Sequence, residues 1–260
     1  MNKVKVVSWN VNSIRARIDL LLDWTKKNNP DILLLQEIKA REEDFPFSAF
    51  DNLNYNIKIN GQKSYNGVAI FSKYPLSDIQ INLPTFEDSQ ARYIEAWVDY
   101  KNSGFRVASV YAPNGNPVNS DKFTYKIDWL NNFYKHIKKL QEYEEKIVLG
   151  GDYNICPTKN DVANENMILN DAVYQEESKN LFRKICNAGL FDAFRSLHSN
   201  NGFTYWDYGH AYQSNLGIRI DHFLLSSYAL DSLCDVYVDE TPRKQKKTSD
   251  HAPIVANFSF

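Results

Sequence analysis

A mixed α/β architecture, with two β-sheets packed face to face and helices outside, follows from three features of this 260-residue sequence. Strand-like segments greatly outnumber helical ones, several strands pair as hairpins, and others are joined through amphipathic helices. Val4 to Trp9 opens the chain as a strand. Arg17 to Lys27 is a helix, because Ile18, Leu21, Leu22 and Thr25 recur at three- and four-residue steps, and Pro30 stops it. Ile32-Leu33-Leu34-Leu35 has no polar alternation, the pattern of a strand buried on both faces. Gly67 to Phe71 is a further strand. From Arg92 to Tyr100, Ile94, Ala96 and Val98 fall on one face and Tyr93, Glu95 and Trp97 on the other. Phe105 to Tyr111 follows an Asn102-Ser103-Gly104 turn, which predicts an antiparallel hairpin.

Pro113 to Pro117 is a loop, and Ser120 is placed to cap the longest helix, whose stripe is Phe123, Ile127, Leu130, Phe133 or Tyr134, Ile137 and Leu140. Ile147-Val148-Leu149 is a strand, and Pro157 to Glu177 is polar and loop-rich. A helix then carries Leu181, Phe182, Ile185 and Cys186 and ends at Gly189. Strands at Ile220–Leu225, Leu233–Val238 and Ile254–Phe258 complete the pattern. With no linker, low-complexity tract or short-period repeat, residues 1–260 are expected to form one domain.

Apolar residues make up 43% of the chain, enough for a large core; a chain of this size buries roughly 70–75% of its unfolded surface. Aromatic residues, at 14%, suit strand-rich cores and base-stacking surfaces alike. The net charge of −2 argues against indiscriminate coating of nucleic acid. A nucleic-acid binder of this composition must gather its basic residues on one face. Arg15 with Arg17, Lys39 with Arg41, and Arg243 to Lys247 offer such clusters, although each alone also suits an ordinary solvated surface. Cys156, Cys186 and Cys234 are widely spaced, which speaks against a disulfide framework or thiolate metal site and for a reducing compartment. No signal-peptide pattern and no apolar run of ~20 residues is present, so a cytoplasmic protein without membrane association is expected.

Five polar islands interrupt this pattern: Ser8-Trp9-Asn10-Val11-Asn12, Gln36-Glu37, Gly150-Gly151-Asp152-Tyr153-Asn154, Arg219-Ile220-Asp221-His222 and Ser249-Asp250-His251-Ala252-Pro253. Each follows or ends a strand-like run, so their side chains can converge on one rim of a packed sheet. Carboxylates and amides are hard ligands that suit Mg²⁺ rather than zinc. Glu37, beyond four apolar residues, is either cation-bound or an ordinary strand-end glutamate. Asp152 and Asn154 either continue an extended strand and point to one side, or form an Asx turn favoured by the glycines. An acid that takes a proton from water, beside an amide that orients that water, is equipped for hydrolysis. His251 stays protonated if a buried acid such as Asp221 bonds its ring.

The ordered set W-N-x-N, Q-E, Y-x-P, G-D-x-N, R-I-D and S-D-H-A-P resembles the exodeoxyribonuclease III family of apurinic/apyrimidinic endonucleases, in the endonuclease–exonuclease–phosphatase superfamily. The likeness runs essentially from Met1 to Phe260, includes Gly61-Gln62-Lys63 and Gly67-Val68-Ala69, and is nearest to the bacterial exonuclease III branch. It implies a four-layer α/β sandwich that uses Mg²⁺, or Mn²⁺ as substitute, to cut double-stranded DNA 5′ to abasic sites, remove nucleotides from 3′ ends and clear blocked 3′ termini. A monomer is expected. The resemblance makes Glu37 the principal metal ligand, helped by Asn10, Asn12 and Asp250. Asp152 then activates water, Asn154 positions it, Asp221 holds His251, and His251 and Tyr111 face the phosphate. Tyr205, Trp206 and Ile218 become candidates for an abasic-site pocket, and Arg92 for a backbone contact. Taken singly, Tyr111 also suits a half-buried strand aromatic, and Tyr205 and Trp206 suit the core.

Two departures stand out. Asn12 occupies a position where some relatives place an aspartate, which leaves the number of metal ions open. The Pro157–Glu177 segment is shorter than in the best-known bacterial members, which leaves the endonuclease–exonuclease balance open. The same machinery also serves hydrolysis of a lipid or inositol phosphate, or survives in a non-catalytic nucleic-acid-binding relative. The basic loop at Arg243–Lys247 and the Tyr205-Trp206 segment favour DNA over lipid, and the chemically competent polar set favours catalysis.

Overall fold

The computed structural model describes residues 3–101 and 103–260. Asn102, in the expected hairpin turn, lies outside the described residues; Ser103 and Gly104 already belong to a strand. In chain order the elements are β1 (Val4–Asn10), α1 (Ile18–Asn28), β2 (Ile32–Gln36), β3 (Asn56–Asn60), β4 (Val68–Ser72), β5 (Leu76–Ile81), β6 (Tyr93–Tyr100) and β7 (Ser103–Tyr111). Then come α2 (Asp121–Gln141), β8 (Ile147–Asp152), α3 (Glu176–Asn187), β9 (Leu190–Asp192), α4 (Ala193–Leu197), β10 (Asp221–Ser226), α5 (Ser227–Leu230), β11 (Leu233–Val238) and β12 (Ile254–Phe258).

The strands form two mixed six-stranded sheets, ordered β11-β12-β1-β2-β4-β3 and β5-β6-β7-β8-β10-β9. Val6, Ile32, Leu34 and Ile70 of the first meet Ile94, Ala96, Val107 and Phe223 of the second in a dry interlayer. Outside, Leu21 and Trp24 of α1 cover Val7, Leu33 and Leu35. On the opposite side Trp129, Leu130, Phe133 and Ile137 of α2 and Leu181 and Ile185 of α3 cover Ala108, Val110 and Leu149. The result is an α/β sandwich of four layers.

The topology delivers the polar islands to one rim. β1 runs parallel to β2, and β7 parallel to β8, so Asn10, Gln36, Tyr111 and Asp152 are all carboxyl-end residues. β10 is antiparallel to β8 with Asp221 opposite Asp152, so its first residue reaches that same rim. β12 is antiparallel to β1, which brings the segment just before it there too. Below the rim the sheets come close at Gly150, where a Cβ would stand 2.5 Å from Phe223 Cε1 and 2.9 Å from Leu34 Cδ1. Buried polar bonds tie the layers at this level: Gln36 Nε2 donates to Ser109 Oγ at 2.9 Å, and Ser109 Oγ donates to Leu35 O at 2.8 Å.

Three local expectations need amending. Ser120 is the N-cap of α2, but its hydroxyl donates back to Pro117 O at 2.6 Å rather than accepting from the helix. The buried stripe of α2 includes Lys126, Trp129 and His136, while Ile127 is only partly buried. β3, β5 and β9 were not expected: β3 and β5 are sheet-edge strands of mixed polarity, half-buried and largely exposed respectively, and β9 has three residues, so none carries an apolar run. Cys156, Cys186 and Cys234 are free, and no helix among the described residues is long and apolar enough to cross a membrane.

Candidate active site

Left-handed backbone at Asn12 (φ 45°), Glu37 (φ 50°), Lys39 (φ 51°) and Asn154 (φ 50°) turns the chain sharply where β1, β2 and β8 end. Such conformations cost energy in non-glycine residues and concentrate where a site demands them. The turns aim side chains across the rim into a cleft of about 300 Å³ walled by Glu37, Tyr111, Asn114, Asp152, Asn154, Asp171, Val173, Tyr205, Ile218, Ile220, Asp250 and His251.

Asn10 bridges the two halves of the cleft. Its Nδ2 donates to Glu37 Oε1 and to Asp152 Oδ2, both at 3.0 Å, while its Oδ1 accepts the Asn12 backbone N–H. The Tyr111 hydroxyl donates to Glu37 Oε1 at 2.9 Å. Burial, then the nearby Glu37 and Asp152 charges, push the Tyr111 phenol well above its usual range, so it remains a neutral donor. Burial disfavours the Glu37 carboxylate, but the Asn10 and Lys39 bonds outweigh it and hold it below the usual range.

On the far wall, His251 Nδ1 donates to Asp221 Oδ2 at 2.8 Å, and Nε2 stands 3.8 Å from Asp152 Oδ2. Burial opposes charge on this imidazole, yet Asp221 and Asp152 together raise it well above the ordinary range, so His251 is a cation at neutral pH. Asp152 is shifted upward by burial, with the His251 charge pulling down and the Asp221 charge pushing up. The backbone N–H of Asn154 donates to Asp152 Oδ1 at 2.9 Å: this is the Asx turn, not a continuing strand. Asn154 nevertheless stays at the cleft, because its Nδ2 donates to Ala112 O at 2.9 Å and its Oδ1 accepts from Asn114.

The donor set fits a hard cation. Lys39 Nζ lies between Glu37 Oε2 at 2.7 Å and Asn12 Oδ1 at 2.6 Å, a positive charge seated between oxygen ligands. Asn12 Nδ2 in turn donates to Asp250 Oδ1 at 3.1 Å, which brings Asp250 to this group. Asp152, Asp221 and His251 form a second cluster able to hold a metal, their ligand atoms within 4.8 Å of one another. Asp221 Oδ1 is buried there without a hydrogen-bond partner among the described residues. The positive charge on His251 disfavours a divalent ion at that second position, whereas at Glu37, Asn12 and Asp250 the flexible Lys39 ammonium already fills the place of a cation and can swing aside for one.

Tyr205 and Ile218 line the cleft and pair as a β-bridge. Trp206 does not join them: it packs against Phe203 and Ala252, with Arg243 donating to its carbonyl at 3.1 Å. Arg243 is itself buried and also donates to Ser249 O, so this member of the basic cluster braces the Asp250 loop, whereas Lys244, Lys246 and Lys247 are exposed. Arg92 lines an adjoining cavity of about 430 Å³ that shares Asn114 with the cleft, and its guanidinium stacks 4.9 Å over the Tyr111 ring. Asn114, Asp171, Val173 and, as a wall residue, Ile220 were missed. Asn114 directly follows Tyr111-Ala112-Pro113 and was legible by position, whereas Asp171 and Val173 sit in an irregular segment that no pattern singles out.

A profile of the endonuclease/exonuclease/phosphatase family matches residues 7–251. The chain is 32% identical to exodeoxyribonuclease III of Haemophilus influenzae, covering 98% of this chain and 100% of the relative. A Neisseria 3′ phosphatase, NExo, solved with a product DNA hairpin, superposes with a TM-score of 0.94 at 35% identity, covering 99% of this chain and 100% of that one. An AP endonuclease from Archaeoglobus fulgidus gives the same TM-score at 33% identity and the same coverage. With the strand-end carboxylates, the Asp221-held His251 and these likenesses over nearly its whole length, the chain belongs to the endonuclease/exonuclease/phosphatase family.

Proposed function

We propose that this chain is a DNA-repair nuclease of the exodeoxyribonuclease III type, which hydrolyses the phosphodiester 5′ to an abasic site in duplex DNA. Removal of nucleotides from 3′ ends and cleaning of blocked 3′ termini belong to the same reading, with residues 1–260 acting as one catalytic domain in a monomer. The observation that carries it is the placement of Asp152, buried and bonded to Asn10, between the Glu37 oxygens and the His251 cation. Relatives that resemble it over their full length include an exodeoxyribonuclease III, an AP endonuclease and a 3′ phosphatase bound to product DNA, and these names favour DNA as the substrate.

The residues divide the work as follows. Glu37, Asp250 and Asn12 hold Mg²⁺, for which Mn²⁺ can substitute, and Asn10 fixes the Glu37 carboxylate opposite Asp152. Bound there, the ion supplies a positive charge to the phosphate. Asp152 accepts the proton of the attacking water, since burial has already made this carboxylate a stronger base than usual. Asn154 and Asn114 orient that water. His251 and the neutral Tyr111 hydroxyl donate to phosphate oxygens, where charge grows in the transition state. Tyr205, Ile218 and Ile220 wall an apolar slot that takes a sugar without its base, and extruding such a sugar costs less than flipping a stacked base. Arg92 meets the strand beside the slot.

A duplex labelled at one end and carrying one central abasic analogue, incubated with and without chelator, tests this reading. A single 5′ incision that chelator abolishes is expected; an uncut duplex over hours in both Mg²⁺ and Mn²⁺ would refute it.

A further inference from the structure

The helix α2 buries a charge that the chemistry above does not use. Lys126 is the one lysine among the described residues whose exposure is zero, and it shares its face of the helix with Trp129, Leu130 and Phe133. A buried ammonium is costly unless every proton finds an acceptor. Here each does: Nζ donates to Asn114 O at 3.0 Å, to Asn154 O at 2.5 Å and to Ala172 O at 3.3 Å. Burial lowers this amine to about 7 against the upward pull of the Asp171 and Asp152 charges, so its charged form stands on the geometry: three carbonyl acceptors match the three N–H groups of an ammonium and not the two of a neutral amine.

The three acceptors lie on three separate loops, and each loop forms cleft wall. Asn114 follows β7, Asn154 follows β8, and Ala172 stands between the wall residues Asp171 and Val173. Pairwise bonds also join these loops, from Asn116 to Asp171, from the Ala172 N–H to Asn116, from Asn114 to Asn154 and from the Cys156 N–H to Val173 O, but Lys126 Nζ bonds all three loops from one point. Room for its stem comes from Gly115, at φ +89°, where a Cβ would lie 2.6 Å from Lys126 Cδ. The loop gripped most closely is also the one that holds the reacting carboxylate, because the Asn154 N–H bonds Asp152 and the Asn154 side chain bonds Asn114 and Ala112.

We propose that Lys126 is a positioning residue of the nuclease site, its ammonium clamping the carbonyls of three cleft loops so that Asp152 and Asn154 stand in register with Glu37 and His251. It touches no substrate and lines no part of the cleft. The inference rests on the assignment of this cleft as the catalytic site. Loss of the clamp misplaces catalytic groups without removing a DNA contact, so turnover suffers and binding does not.

The test is Lys126→Met, Lys126→Arg and Gly115→Ala in the full chain, with kcat and KM measured on the abasic duplex. Misplacement of about 1 Å costs roughly 100-fold, so Lys126→Met is expected to lower kcat by about that factor with KM within about threefold. Lys126→Arg, which keeps charge and donors, recovers at least about tenfold, and Gly115→Ala, which crowds the stem and strains a backbone at φ +89° without removing charge, loses at least about tenfold. A Lys126→Met protein with kcat near wild type, or one whose loss falls on KM, overturns the clamp. If that variant does not fold, an undiminished kcat in Gly115→Ala overturns it instead. Backbone amide spectra separate this from failure of the nuclease assignment: shifts in Lys126→Arg concentrated at 112–116, 152–156 and 171–174 support the clamp whatever the substrate, and their absence sinks it. A wild-type protein that leaves the duplex uncut counts against the nuclease reading alone.

Discussion

Asp221 Oδ2 and His251 Nδ1 are 2.8 Å apart and both residues are buried, so the imidazole is held in one orientation with its other nitrogen turned toward Asp152. Two neighbouring carboxylates raise the His251 ring above its ordinary range despite burial. The protonated form therefore survives through neutral pH and is lost only as pH climbs through that raised value. Asp221→Asn removes one of the two anions and lowers the ring toward its ordinary range. The alkaline limb of kcat should move to lower pH in this variant, with a loss at neutral pH of roughly 100-fold. A limb that stays in place would show that His251 does not carry it.

Glu37 makes bonds with Asn10, Tyr111 and Lys39 at once, so both of its oxygens are already directed into the site. Glu37→Gln keeps the shape and removes the charge. The Mg²⁺ concentration for half-maximal activity should rise by more than the about 10–100-fold typical of outer-shell changes. A metal titration of incision rate reads this, and an unchanged midpoint would place the ion elsewhere.

Much of this architecture was legible in the sequence, for reasons that are physical. Ile32 to Leu35 shows no polar alternation because β2 has a sheet partner on each side and apolar layers above and below. β6 alternates because Ile94, Ala96 and Val98 enter the interlayer while Tyr93 meets the α2 side. The edge strand β5 was invisible because exposure and a bulge near Ser77 erase its period. The cleft was legible through Asn10, Glu37, Asp152, Asp221, Asp250 and His251, each at or just outside a strand end. Lys39 and Lys126 were not, since a lysine next to a carboxylate or within a helix reads as surface. Only the packing shows that one bridges Glu37 to Asn12 and the other lies wholly inside.

Ile218 faces Tyr205 across a β-bridge on the apolar wall of the cleft. Ile218→Ala widens the slot by three carbons. Apolar pockets discriminate by about 1–3 kcal/mol per methylene, so the preference for an abasic site over an intact nucleotide should fall by at least about tenfold. The ratio of kcat/KM on abasic and undamaged duplexes measures this; an unaltered ratio would remove Ile218 from selection.

His222, one residue beyond Asp221, faces away from the cleft and supports it from behind. Its Nε2 donates to Ile155 O at 2.9 Å, and its Nδ1 accepts from Arg219 Nη1 at 2.8 Å, an arrangement only the neutral ring satisfies. Burial first, and then the Arg219 charge, push it down to about 4 from an ordinary 6.5. Below pH 6.5 the unfolded chain takes up a proton that the native core refuses until about pH 4. Stability present above 6.5 is therefore lost as pH falls across that window, by about 2 kcal/mol between pH 7 and pH 5. His222→Gln can still donate to Ile155 but cannot titrate. It should be less stable at pH 7, because a buried Arg219 donor is left poorly matched, yet its urea midpoint should fall less between pH 7 and pH 5 than that of the wild type. If both proteins lose the same amount over that interval, the acid sensitivity arises from other groups, and His222 contributes only packing.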